Sequence, residues 1–113
     1  GEPLRSDGDG TQTRDMIYID DVIDANIAAM KYQGDFRVFN IGSEESISNN
    51  SILKIFAKFG FGNVQKAPPR VGDVSHTLSD SGLAKRELMW IPKIGIDEGL
   101  RKTMTWWGLN VKE

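Results

Sequence analysis

The apolar residues of this chain fall into short runs with the period of a strand, separated by longer stretches with the period of a helix. β-favouring runs predict strands at residues 16–19 and 37–41, and a shorter one at 64–67. Residues 1–13 are polar and rich in Gly and Asp, which predicts a loop or a short edge element. This alternation in a short chain is typical of an α/β fold, or α+β given its small size.

The first helix is predicted to begin after Asp20, whose side chain is an acceptable N-terminal cap. Ile23, Ile27 and Met30 belong to its apolar positions, whereas Asp21 is expected to face solvent. A helix with this pattern needs apolar cover on one side.

Local signals also delimit the later helices. Ser48 is expected to cap a helix that ends at Gly60. Either Asp80 or Ser81 is expected to cap a short helix, and Gly95 is expected to lie at the start of the last helix. Tryptophans that stand at helical spacing beside aliphatic residues more often pack in a core than bind a ligand. We therefore expect Trp90 and Trp107 to pack inside, and we leave Trp106 open.

Composition narrows the class of protein. The 113 residues are 39% hydrophobic, which suits one domain over residues 1–113 with room for one site. The net charge of −2, with acidic and basic residues mixed, argues against a nucleic-acid surface. There is no cysteine and no apolar run of membrane-spanning length, so we expect a cytoplasmic protein without nucleic-acid or membrane partners.

Two polar loops carry the candidate chemistry, residues 8–15 with Arg14 and residues 68–74 with Arg70. An arginine on a stiff Pro-Pro segment, followed by Gly-Asp, suits a phosphorylated ligand, because the guanidinium fork matches phosphate oxygens. The alternative is that both arginines are solvated or pair with a neighbouring carboxylate such as Asp15 or Asp73.

Four segments, in order, resemble the C-terminal part of the NAD-dependent epimerase/dehydratase family, the extended short-chain dehydrogenases that act on nucleotide sugars. They are Gly-Asp-Gly-Thr-Gln-Thr-Arg-Asp with its continuation to residue 22, Phe-Asn-Ile-Gly at 39–42, Pro-Arg-Val-Gly-Asp-Val at 69–74, and residues 84–107. Together they span nearly the whole chain. The resemblance implies a C-terminal substrate-binding segment that lacks most of the Rossmann domain.

The resemblance also implies roles for particular residues. Arg14 and Arg70 stand where the family contacts the diphosphate of its nucleotide sugar, and Asp73 where it contacts the ribose. The implied ligand is a nucleotide-diphosphate sugar such as a UDP-sugar, and the complete family enzyme uses NAD.

The family's cofactor and redox motifs are missing from this chain. No G-x-G-x-x-G and no Tyr-x-x-x-Lys occurs, so we assign no catalytic, cofactor-binding or metal-binding residue. One hypothesis is a substrate-binding segment that is inactive until a separate Rossmann half joins it. The others are a non-enzymatic remnant with weak nucleotide binding, and a structural oligomeric module.

Some residues depart from the family pattern. Arg5 and Ser6 replace apolar strand residues, Glu44 stands where glycine is common, and Asn49 replaces an apolar residue at a helix start. The resemblance places the segment 37–41 at the margin of a sheet that is absent here. Such an edge invites pairing with an identical chain, so we expect a homodimer.

Overall fold

The structure, a computed structural model, describes residues 1–112 as short strands and helices in a mixed α/β arrangement. The elements are β1 Leu4–Asp7, β2 Thr13–Asp15, α1 Ile19–Met30, β3 Ser46–Ser48, α2 Asn49–Lys58, β4 Val64–Ala67, α3 Gly82–Glu87 and α4 Ile96–Trp106. β1 pairs with β4 in parallel, and β2 pairs with β3 antiparallel. The predicted α/β class is confirmed.

The molecule is flat. Its extents are 49 × 33 × 16 Å and its radius of gyration is 16.5 Å, against about 13 Å for a compact domain of this length. A thickness of 16 Å is little more than one helix with its side chains. Much of the apolar surface therefore has no second layer to cover it.

Two predicted strands are wrong. Residues 16–18 are irregular and Ile19 already opens α1, with Tyr18 rather than Asp20 at the N-cap. Residues 37–41 are also irregular. A strand exists only where a neighbour accepts its ladder hydrogen bonds, and within residues 1–112 neither run has such a neighbour.

The other boundary predictions are confirmed. The Ser48 hydroxyl accepts a hydrogen bond from the Ser51 amide at 3.1 Å, residues 64–67 form β4, and Gly95 caps α4. Ser81 is the N-cap of α3 without a side-chain capping bond. Among residues 1–112, no helix is sufficiently long and apolar to span a bilayer.

Asp21 corrects the expected orientation of α1. Its side chain was expected to face solvent, but the residue is 1% exposed. Its two carboxylate oxygens accept the backbone N–H groups of Lys93 and Ile94 at 2.9 and 3.0 Å, and its carbonyl accepts Trp90 Nε1–H at 2.9 Å. Asp21 thus ties α1 to the connector before α4, and this bonding offsets the cost of burying a charge.

The main core lies between α1, α3 and this connector. Its buried members are Ala25, Ala84, Leu88 and Trp90. Trp90 is therefore core, as predicted. The prediction for Trp107 is wrong, because its side chain lies beyond the last turn of α4 and is 70% exposed.

One face of α1 has little apolar cover from the rest of residues 1–112. Ile23 and Ile27 are each 46% exposed and Met30 is 85% exposed, although the spacing of these residues is that of a buried stripe. Val38 is 71% exposed as well. Exposed apolar residues on this scale mark an interaction surface.

Candidate anion-binding site

Arg14 projects from the short antiparallel pair of β2 and β3, where it lies opposite Ile47. Its Nη2 donates to Asp73 Oδ1 at 2.6 Å, and its Nη1 donates to the Thr13 carbonyl at 2.7 Å. The side chain is 26% exposed. Two bonds to different parts of the chain hold the guanidinium in one orientation.

Arg70 lies on the loop that follows β4, after two prolines that stiffen the backbone. The Asp73 amide donates to the Arg70 carbonyl at 3.3 Å, and Gly72 has a φ of 80°, which glycine adopts without strain. The Arg70 side chain is 74% exposed, with its Nε 3.8 Å from Asp7 Oδ2. This guanidinium is held loosely and is open to solvent.

The structure brings all three predicted site residues to one cleft of about 240 Å³, lined by Arg14, Arg70 and Asp73. Parallel pairing of β1 with β4 sets Asp7 beside Ala67, immediately before the Pro-Pro loop. The cleft is therefore assembled from parts of the chain that are far apart in sequence.

Sequence reasoning missed two residues of this cleft, Arg5 and Asp7. Arg5 Nε donates to Asp7 Oδ1 at 2.7 Å. A signal was present, because charged residues two apart on a strand share a face. Three guanidinium groups and two carboxylates line the cleft, which leaves one net positive charge and favours an anion.

Asp15 holds together the loops around Arg14. Its carboxylate accepts hydrogen bonds from the Ser43 and Ser79 amides, from both of their hydroxyls, and from the Glu44 amide, at 2.5 to 3.0 Å. Burial raises the pKa of this carboxyl, but the hydrogen bonds from Ser43 and Ser79 outweigh burial and lower the pKa of Asp15 to about 2. Asp15 is therefore a positioning residue for the neighbouring Arg14.

Glu44 occupies a backbone conformation that favours glycine, with a φ of 59°. This explains why its place in the family pattern suits glycine. The side chain pairs with Lys85 and accepts the Ser81 amide at 2.8 Å. The Lys85 ammonium, and then the Ser81 amide, lower the pKa of Glu44 below its usual range. These contacts help offset the strained backbone.

Two other departures from the family pattern contact each other. Asn49 Nδ2 donates to the Ser6 hydroxyl at 2.9 Å, and Ser6 is 1% exposed. Each polar group satisfies the other at a place where an apolar pair is usual. Asn49 also lines the cleft.

A second cleft of about 430 Å³ adjoins the first and shares Asp7, Arg70 and Asp73 with it. It also contains His76, whose Nδ1 lies 2.8 Å from the Thr13 hydroxyl. His76 extends the wall of the cleft, and we give it no catalytic role.

The chain is similar to known proteins in sequence and in fold. The model of the NAD dependent epimerase/dehydratase family matches residues 1–42. The chain is 38% identical to the UDP-glucuronate 4-epimerase of Thermodesulfobacterium geofontis, over 98% of this chain and 35% of that protein.

Solved structures agree. A UDP-glucose 4-epimerase of Thermotoga maritima, solved with UDP-glucose, has a TM-score of 0.87 and 38% identity, over 95% of this chain and 35% of that one. A UDP-glucuronic acid 4-epimerase from Bacillus cereus, in complex with UDP-glucuronic acid and NAD, has a TM-score of 0.78 and 33% identity, over 88% of this chain and 33% of that one.

Fold and cleft define a mixed α/β segment with a cleft of net positive charge. Residues 1–42 match the model of the NAD dependent epimerase/dehydratase family, and nearly the whole chain is similar to enzymes of this kind, so the resemblance predicted from the sequence is confirmed. The chain spans about a third of the length of the relatives described above.

Proposed function

We propose that this chain is the nucleotide-diphosphate-sugar binding segment of an NAD-dependent epimerase/dehydratase and is catalytically incomplete alone. The observation that carries the proposal is the convergence of Arg14 and Arg70 on one cleft with a net positive charge. Neither arginine is needed by the apolar core, and Arg70 is largely exposed. Both guanidinium groups can therefore serve a ligand.

The roles are those that the resemblance to the family implies, and the shared cleft of the three residues supports them. Arg14 and Arg70 would bind the diphosphate. Asp73, on the same turn as Arg70, would accept a hydrogen bond from a hydroxyl of the ribose. Arg14 and Asp73 are now bonded to each other, so they also orient each other before a ligand arrives. The ligand that we propose is a UDP-sugar, because the solved relatives described above hold UDP-glucose or UDP-glucuronic acid.

Chemistry would require the remainder of the family architecture. We propose that a separate Rossmann half in the cytoplasm supplies NAD and the Tyr-x-x-x-Lys pair. This sequence contains neither the G-x-G-x-x-G motif that binds NAD nor a Tyr-x-x-x-Lys pair. The second candidate is a non-enzymatic remnant or structural module, favoured by the uncovered apolar face of α1.

Arg70→Ala is expected to weaken UDP binding about tenfold to a hundredfold, because one charge-assisted contact contributes roughly 1.5–3 kcal/mol. NMR titration of the chain with UDP measures the affinity. Arg101→Ala is the matched control, since Arg101 is exposed on α4 and outside both clefts. Equal UDP affinity in Arg70→Ala and wild type would contradict the proposed contact.

We further propose that the chain forms a homodimer through α1 and residues 36–41. Phe36 and Val38 are 92% and 71% exposed, and Ile23 and Ile27 lie on the uncovered face of the helix. Pairing this segment with a second copy would supply both ladder partners and apolar cover.

Val38→Lys is expected to shift the dimer to monomer in sedimentation equilibrium, because it places a charge in the apolar contact. Val71→Lys is the control, since Val71 is fully exposed on the Arg70 loop. A wild type that stays monomeric at high concentration would exclude the homodimer. A dimer that persists in Val38→Lys would place the interface elsewhere.

A further inference from the structure

Asp7 stands between two of the three arginines of the cleft. Its Oδ1 accepts from Arg5 Nε at 2.7 Å, and its Oδ2 lies 3.8 Å from Arg70 Nε. Its side chain is 19% exposed, and it lines both adjoining clefts. An anionic ligand that reaches Arg70 must therefore approach the carboxylate of Asp7.

The two partners of this ion pair differ in how firmly they are held. Asp7 is fixed at the end of β1, opposite Ala67, and its carbonyl accepts from Gln12 Nε2 at 3.0 Å. Arg70 is 74% exposed, and its separation from Asp7 is too long for a hydrogen bond. Arg70 is the partner that can turn toward a ligand, while Asp7 stays in place.

We propose that Asp7 lowers the affinity of the site for its ligand, because it competes with the phosphates of the ligand for Arg70. This inference rests on the proposed function. Without a ligand, Asp7 neutralises part of the charge of Arg70. With a ligand, Arg70 exchanges the carboxylate for a phosphate oxygen, and the fixed negative charge remains close to it. The residue therefore lowers phosphate affinity.

The size of the effect is limited by solvent, because an exposed ion pair contributes little free energy. Removing the charge of Asp7 should raise UDP affinity about twofold to fivefold, which is the range such pairs allow. Asp7→Asn is the appropriate variant, since its amide oxygen can still accept from Arg5.

The test is NMR titration with UDP in a double-mutant cycle of Asp7→Asn and Arg70→Ala. We expect Asp7→Asn to bind more tightly than wild type, and we expect this gain to vanish in the Arg70→Ala background. Asp9→Asn is the matched control, because Asp9 lines the second cleft but bonds Thr11 rather than an arginine. If Asp7→Asn does not fold, Asp7→Ser applies the same test.

The outcomes separate this inference from the function on which it rests. If Arg14→Ala and Arg70→Ala weaken UDP binding but Asp7→Asn does not strengthen it, the competition is wrong and the proposed function stands. An equal gain in Asp9→Asn would assign the effect to general charge and overturn the role of Asp7. If Arg14→Ala binds UDP like wild type, or neither wild type nor Asp7→Asn binds UDP, the proposed function itself is wrong.

Discussion

Asp15→Asn is expected to lower the free energy of unfolding by about 3 kcal/mol, because an amide cannot accept all the hydrogen bonds that the carboxylate accepts. One carboxylate oxygen accepts from Ser43, and the other accepts from Glu44 and Ser79. In either orientation, the Asn NH₂ group faces at least one backbone N–H that has lost its acceptor. Chemical denaturation of wild type and variant measures the difference.

The same variant tests the pKa of Asp15. Its folded pKa of about 2 lies below the ordinary value of 3.8, so the carboxylate stabilises the fold above pH 4, and this stabilisation is lost as pH falls toward 2. This lowering of the pKa corresponds to about 2 kcal/mol in the free energy of unfolding, and about half of that stabilisation is lost at pH 3. The stability gap between wild type and Asp15→Asn should narrow accordingly. A difference in stability between wild type and Asp15→Asn that stays constant from pH 7 to pH 3 would contradict the lowered pKa of Asp15.

A control for both measurements is Asp35→Asn, since Asp35 is exposed and outside this network. It should change stability by less than about 0.5 kcal/mol. Because Asp15 adjoins Arg14 in β2, Asp15→Asn should also weaken UDP binding at neutral pH. That loss would follow from displacement of the loops and not from a lost ligand contact.

Asp21→Asn is expected to destabilise the chain by about 2–3 kcal/mol. The buried carboxylate accepts two backbone amides, at Lys93 and Ile94, and the variant places an NH₂ group against one of them. Hydrogen exchange should show faster opening of residues 90–94, which this side chain ties to α1. Thermal or chemical denaturation gives the overall loss.

Asp24→Asn is the matched control for Asp21→Asn, because it makes the same chemical change one turn later on an exposed position of α1. Its effect should stay within about 0.5 kcal/mol. Similar losses of stability in the two variants would mean that the loss comes from removing a negative charge from α1 and not from breaking the buried contact of Asp21.

The boundaries of α2 and α4 were predictable because capping is local. Ser48 caps α2 with its own hydroxyl, and Gly60, with a φ of 99°, follows its last turn. Gly95 likewise precedes α4 as expected. Each signal depends on a few neighbouring residues, which the sequence places together whatever the remainder of the fold does.

Strands and burial were less predictable because they depend on distant partners. The run at 37–41 has a suitable composition but no strand beside it among residues 1–112. Residues 4–7, three of which are polar, form β1 because β4 pairs with them. Asp21 is buried because the 90–94 connector folds over it. Trp107 is exposed because no helix or strand within the described residues covers the end of α4.

For the candidate site, the sequence by itself determined the resemblance to the family and the residues with suitable chemistry, Arg14, Arg70 and Asp73, because guanidinium and carboxylate groups keep their properties in any fold. Only the tertiary structure decided that they share a cleft and that Arg5 and Asp7 join them. The physical reason is that proximity here depends on the parallel pairing of β1 with β4, which joins residues far apart in the chain.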